Sequence, residues 1–99
     1  MNIEKIADQL FGSANDCIAL IKQQKWKEAA GYGDHVSYKA ATNNEEWWWN
    51  QVTNLQHVDK KIWNSCSYGN CAMAVYYGEQ FEERKETVEK VKMILKRDL

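Results

Sequence analysis

Trp47, Trp48 and Trp49 are consecutive, and three adjacent indoles restrict the fold more than any other feature of the chain. Successive helical residues project about 100° apart, so three in a row sweep about 200° of a helix surface. A single buried stripe does not hold all three. A helix carrying them is either wrapped by neighbours on two sides or leaves an indole on the outside. Helix is the expected state here. Asn43 stands as an N-cap, and Glu45 and Glu46 occupy the first turn, where the macrodipole favours acids. Trp48, Val52, Leu55 and Ile62 then lie near the centre of the apolar arc. Trp47 and Val58 flank it on one side, Trp49 and Trp63 on the other, with Trp49 furthest out.

The rest of the chain reads as helix too. It has 99 residues and no proline, a length that builds one hydrophobic core. Ile3, Ile6, Leu10, Ala14, Cys17 and Ile21 recur at spacings of three and four, with Phe11 and Ile18 widening the stripe. They predict a first helix over 2–23 that keeps its phase across Gly12-Ser13. A second stripe runs through Trp26, Ala29, Ala30, Gly33, Val36 and Ala40. The Gly31-Tyr32-Gly33 triplet is its weak point, either crossed by the helix or broken, with a restart at Asp34 as N-cap. Small residues at Ala29, Ala30 and Gly33 suit close approach of a neighbouring helix, hence a hairpin with the first segment. A third helix is expected from 45 to about 63, packed centrally. A turn follows at Ser67-Tyr68-Gly69-Asn70, then a short apolar segment over 71–77 that stops at Gly78. The last segment, 79–99, carries the stripe Phe81, Val88, Val91, Leu95 and Leu99. Its acids lead, its bases close, and Glu86 and Lys90 stand as an i,i+4 pair. The expected fold is all-α: one compact domain over 1–99, a bundle of four to five helices with an N-terminal helical hairpin.

Residues 17–40 and 72–95 share an order of helix, short turn, aromatic and helix, with Trp26 and Phe81 as the aromatics. That layout resembles the helical hairpin of tetratricopeptide repeats. Arg84 and Lys85 stand where that pattern has small or apolar residues, and its proline is absent. Shared hairpin physics accounts for the likeness, and no family assignment follows.

Residues 62–78 hold seventeen positions without a charge. Charges avoid interiors, so one reading buries this run as the plug of the domain. The other makes it a pocket or partner face, with Tyr68, Tyr76 and Tyr77 as amphipathic contacts beside Asn64, Ser67 and Asn70.

Charge and chemistry narrow the function. Thirteen bases against fourteen acids give a net charge of −1, which exerts no general pull on nucleic acid or an anionic membrane. Lys25-Trp26-Lys27, and Lys60-Lys61 near Trp63, interleave bases with aromatics. Glu28 and Asp59 interrupt both patches, and lysines snorkelling around packed indoles explain them. The N-terminus lacks the basic and apolar regions of a signal peptide, and no run is apolar enough to span a bilayer. A cytoplasmic protein with reduced thiols is expected; a Cys66–Cys71 disulfide across the 67–70 turn is the alternative considered. His35, His57, Cys17, Cys66 and Cys71 fall at no recognised metal spacing, and no nucleophile signature occurs. No catalytic residue, metal site or cofactor is therefore expected.

The function expected on these grounds is non-enzymatic binding of another protein. A stoichiometric inhibitor or antagonist, of the immunity or phage anti-defence type, would act by covering a partner's working surface. Trp47, Trp49, Trp63, Tyr68, Tyr76 and Tyr77 are the candidate contact residues, since tryptophan and tyrosine are enriched at interface hot spots. Two alternatives remain: a small-molecule or nucleotide pocket lined by Trp49, Trp63, Tyr68 and Tyr76, and a homodimer in which exposed rings cover one another.

Overall fold

The computed structural model describes residues 14–34 and 63–99. These residues are 77% helical and contain no strand, so the described part is all-α. Four α-helices follow in order: α1 (Ala14–Lys22), α2 (Trp26–Ala30), α3 (Ser65–Gly78) and α4 (Lys85–Asp98), with a 3₁₀ turn at Glu82–Arg84 before the last.

α1 buries Cys17 and Ile21 and half-buries Ala14 and Ile18, the face the periodicity marks. The stripe positions before Ala14 lie outside the described residues. Gln24 closes the helix in a left-handed conformation, φ 59°. Its N–H donates to the Ile21 carbonyl at 2.9 Å, and the Lys25 N–H donates to Leu20 at 2.9 Å. These two bonds are the Schellman pattern, which satisfies carbonyls left over at a helix end. The left-handed region costs an L-residue about 1 kcal/mol, so Gln24→Gly should stabilise the protein by about 0.5 kcal/mol. Thermal melting checks this, and an unchanged or lower midpoint contradicts the cap.

α2 is short. After Ala30 the backbone tightens to i→i−3 bonds: Gly31 to Glu28, Tyr32 to Ala29 and Gly33 to Ala30, at 3.0–3.1 Å. The glycine triplet thus breaks the helix. Buried Ala29 and Ala30 bring α2 onto both α1 and α3.

α3 departs from the expectation of a turn at 67–70. Helix begins at Ser65 and runs unbroken to Gly78. Asn64 starts it with a capping box: its Oδ1 accepts from the Ser67 N–H at 3.1 Å, and Ser67 Oγ accepts from the Asn64 N–H at 3.4 Å. Ten of its fourteen residues are buried, on every side, because α1, α2 and α4 all pack on it. A helix apolar all round needs such a wrapped position. The described part of the charge-free run, 63–78, is therefore mostly core, and α3 is the central element among the described residues. The tryptophan-bearing segment lies outside them apart from Trp63, which sits buried just ahead of the α3 cap.

α4 buries Val88, Val91, Ile94 and Leu95 and packs on α3. It begins at Lys85 rather than Glu79, because Gln80 and Phe81 bond back to the end of α3 at 3.2 and 3.0 Å and a 3₁₀ turn follows. The Arg84 guanidinium lies 5.0 Å from the centre of the Phe81 ring, a cation–π contact that accommodates a buried arginine at the corner. Lys92 bonds Glu79 at 2.6 Å and ties α4 to the end of α3. That hydrogen bond raises the Lys92 pKa. The anticipated Glu86–Lys90 pair forms at 3.9 Å on the exposed face, where such pairs contribute little. Met93, outside the apolar stripe, is 69% exposed. No described helix is long and apolar enough to cross a membrane.

Candidate functional site

The turn that ends α1 also shapes a groove on the described surface. By redirecting the chain within three residues, it sets Trp26, half-buried, beside the C-terminal end of α1. The last turns of α4 come to the same place. Between them lies a groove of about 570 Å³ lined by residues of all three elements. Ile21 and Leu95 are its buried floor, with Trp26 and Leu99 half-exposed along it. Lys22, Lys92 and Lys96 bring positive charge to the walls, and Gln24 completes them. No acidic side chain is among the described lining residues. The volume falls within the roughly 300–1,000 Å³ range of ligand-binding clefts.

Four of the candidate contact residues sit elsewhere. Trp63 and Tyr68 are 8% and 7% exposed and stack edge to face in the core, ring centres 4.9 Å apart at 65°. Tyr76 and Tyr77 form a second edge-to-face pair, 4.9 Å and 73°, half-buried on α3. None of the four lines the groove. Trp47 and Trp49 lie outside the described residues. The groove was not anticipated from the sequence. Its visible signs were Trp26 between two lysines and the bases closing two helices, each of which has an ordinary local explanation.

A polar cluster pins the end of the Gly31–Asp34 turn to α3. Asn70 Oδ1 accepts from the Asp34 N–H at 3.0 Å, and Asn70 Nδ2 donates to the Asp34 carboxylate at 2.9 Å. The Cys66 thiol donates to the same carboxylate at 3.7 Å. Asn70→Ala should cost about 2 kcal/mol, since a half-buried carboxylate loses its amide donor and a backbone N–H its acceptor. Asn70→Asp should do no better, because it sets two carboxylates face to face. Urea midpoints of both variants check this; a near-neutral Asn70→Asp would show that the contact carries little energy.

All three cysteines are free and buried, and Cys17 and Cys66 are poor nucleophiles. Burial, reinforced by the neighbouring Cys66, pushes Cys17 up to about 12. Burial and then the Asp34 carboxylate push Cys66 up to about 11. The thiolate, the reactive form, is scarce near neutral pH. Cys66 and Cys71 stand five residues apart on one helix, which points them about 140° apart, and the turn needed to bring them together is absent. Among the described residues no group of three His, Cys, Asp or Glu side chains gathers to hold a metal ion.

Comparison with family models, with curated proteins and with solved structures finds no match.

Proposed function

We propose that this chain is a non-enzymatic protein-binding protein that acts stoichiometrically, as an inhibitor or antagonist covering a partner's surface. The observation that carries the reading is the groove at Trp26. It is an apolar-floored cleft edged with amphipathic and charged side chains, the composition of a recognition surface. The Cys17 and Cys66 thiols are buried and protonated, which favours binding over nucleophilic chemistry. In this reading the chain is one compact bundle of four to five helices whose first segments form a hairpin, and it works in the cytoplasm. Trp47 and Trp49 supply further aromatic anchors. Tyr76 and Tyr77, half-exposed on α3, fit a contact rim, whereas Trp63 and Tyr68 support the surface from within.

Affinity capture from the source cell, followed by reconstitution with the purified partner, tests the proposal. A saturable complex of fixed stoichiometry is the expected outcome. Trp49→Ala or Trp47→Ala should weaken it with the melting temperature unchanged. If both variants unfold, those indoles are core and the anchor assignment fails. If the wild type retains no partner, the protein-binding reading fails.

A further inference from the structure

We infer that the groove at Trp26 is the docking site for an acidic, apolar segment of a protein partner. The inference rests on the protein-binding reading and names the chemistry of the segment it receives. Charge complementarity selects the occupant. Lys22, Lys92 and Lys96 line the cleft with no acidic side chain among the described lining residues. Lys92 is partly engaged, by Glu79 at 2.6 Å and Glu89 at 3.8 Å. Lys22 and Lys96 are exposed and form no ion pair among the described residues.

Two helix C-termini converge on the groove, each presenting about half a negative charge. Lys22 and Lys96 stand in those last turns and carry a full positive charge each. Those two lysines outweigh the two helix ends, which favours carboxylates over basic groups. The apolar floor of Ile21 and Leu95, flanked by the half-exposed Trp26 ring, calls for a hydrophobic side chain between those carboxylates. Burying such a side chain while acids reach the rim is the mode by which amphipathic segments seat in grooves.

The test titrates the full chain with a synthetic amphipathic peptide of leucine and glutamate, and separately with its twin carrying lysine for glutamate. ATP serves as a third probe. Backbone amide shifts of Lys22, Gln24 and Lys96, and the Trp26 indole N–H, report occupancy. The glutamate peptide should move these signals and the lysine twin should not. Binding should weaken as salt rises from about 0.01 to about 1 M, where the screening length falls from about 30 to about 3 Å. Lys22→Glu with Lys96→Glu should reduce affinity for the glutamate peptide at least about tenfold and improve that of the lysine twin. Both positions are exposed, and the neutral pair Lys22→Gln with Lys96→Gln provides a milder variant whose loss should be intermediate. Equal binding of the two peptides, shifts away from the groove, or an unchanged affinity in both variants overturns the inference. So does a response to ATP alone, which assigns the cleft to small anions. A partner that still binds the charge-reversed variant but is lost with Trp47→Ala or Trp49→Ala leaves the protein-binding reading standing and removes the groove from it.

Discussion

Replacing Gly69 with alanine is expected to destabilise the protein by about 3 kcal/mol, against the sign that helix propensity alone predicts. In an isolated helix the change would gain up to about 1 kcal/mol, because glycine is a poor helix former. Gly69 lies within α3, where the Gly31–Gly33 turn passes across it. A methyl group there would meet the Gly33 backbone nitrogen, and would stand 2.6 Å from the Tyr32 carbonyl carbon and 2.9 Å from the Tyr32 Cβ. Backbone atoms do not swing aside as side-chain ends do, so the turn must lift from α3. Overpacking of this kind costs about 1–3 kcal/mol and sometimes more, and here it also strains the Asp34–Asn70 hydrogen bonds. A fall in the melting midpoint of roughly 15 °C follows for a chain of this size.

Gly33→Ala is the informative companion. Its closest obstacles are the side-chain ends of Met73, at 2.5 Å, and Asn70, at 2.7 Å. Those can move, so a loss of about half the Gly69→Ala value is expected, much of it from displacing Asn70 from the Asp34 N–H. Urea denaturation of both variants decides the matter. A Gly69→Ala protein more stable than wild type would mean that the turn does not ride on α3.

Raising the pH above about 9 is expected to remove several kcal/mol of stability through the two interior thiols. In the unfolded chain both ionise near 9. In the folded protein burial holds Cys17 to about 12 and Cys66 to about 11. The folded values lie above the unfolded ones, so this stability is complete below pH 9 and drains away as pH rises toward the folded values. Each unit in that window costs about 1.4 kcal/mol per thiol, so each contributes a loss of about 2 kcal/mol by about pH 10.5. Urea midpoints at neutral and alkaline pH measure the slope. Cys17→Ala and Cys66→Ala should each show a shallower decline than wild type, whatever they do to stability at neutral pH. A decline identical in all three proteins would assign the alkaline loss to lysines and tyrosines instead.

Local pattern was enough to place much of the helical structure. The spacing of Cys17 and Ile21, and of Val88, Val91 and Leu95, marks the faces that α1 and α4 bury. The stop at Gly78 was legible as well, whereas at Gly31-Tyr32-Gly33 the pattern allowed either a continuous or a broken helix and the structure breaks it. The state of residues 67–70 was not legible. Ser67, Gly69 and Asn70 have the composition of a turn, yet each has a role inside a helix. Ser67 closes the capping box, Gly69 admits a crossing backbone, and Asn70 reaches across to Asp34. Those partners lie more than thirty residues away for Gly69 and Asn70, beyond any window in which periodicity speaks.

Sequence by itself determined which faces of α1 and α4 are apolar, because a repeat of three to four residues is a property of neighbours along the chain. Tertiary structure alone decided which aromatic residues are spent inside. Trp63 and Tyr68 became core partners, and Trp26 became the wall of a groove. It also assembled that groove's charge, from lysines at the ends of α1 and α4 that are more than seventy residues apart. Burial and electrostatic potential depend on what else arrives at a point in space, and no stretch of adjacent residues specifies that.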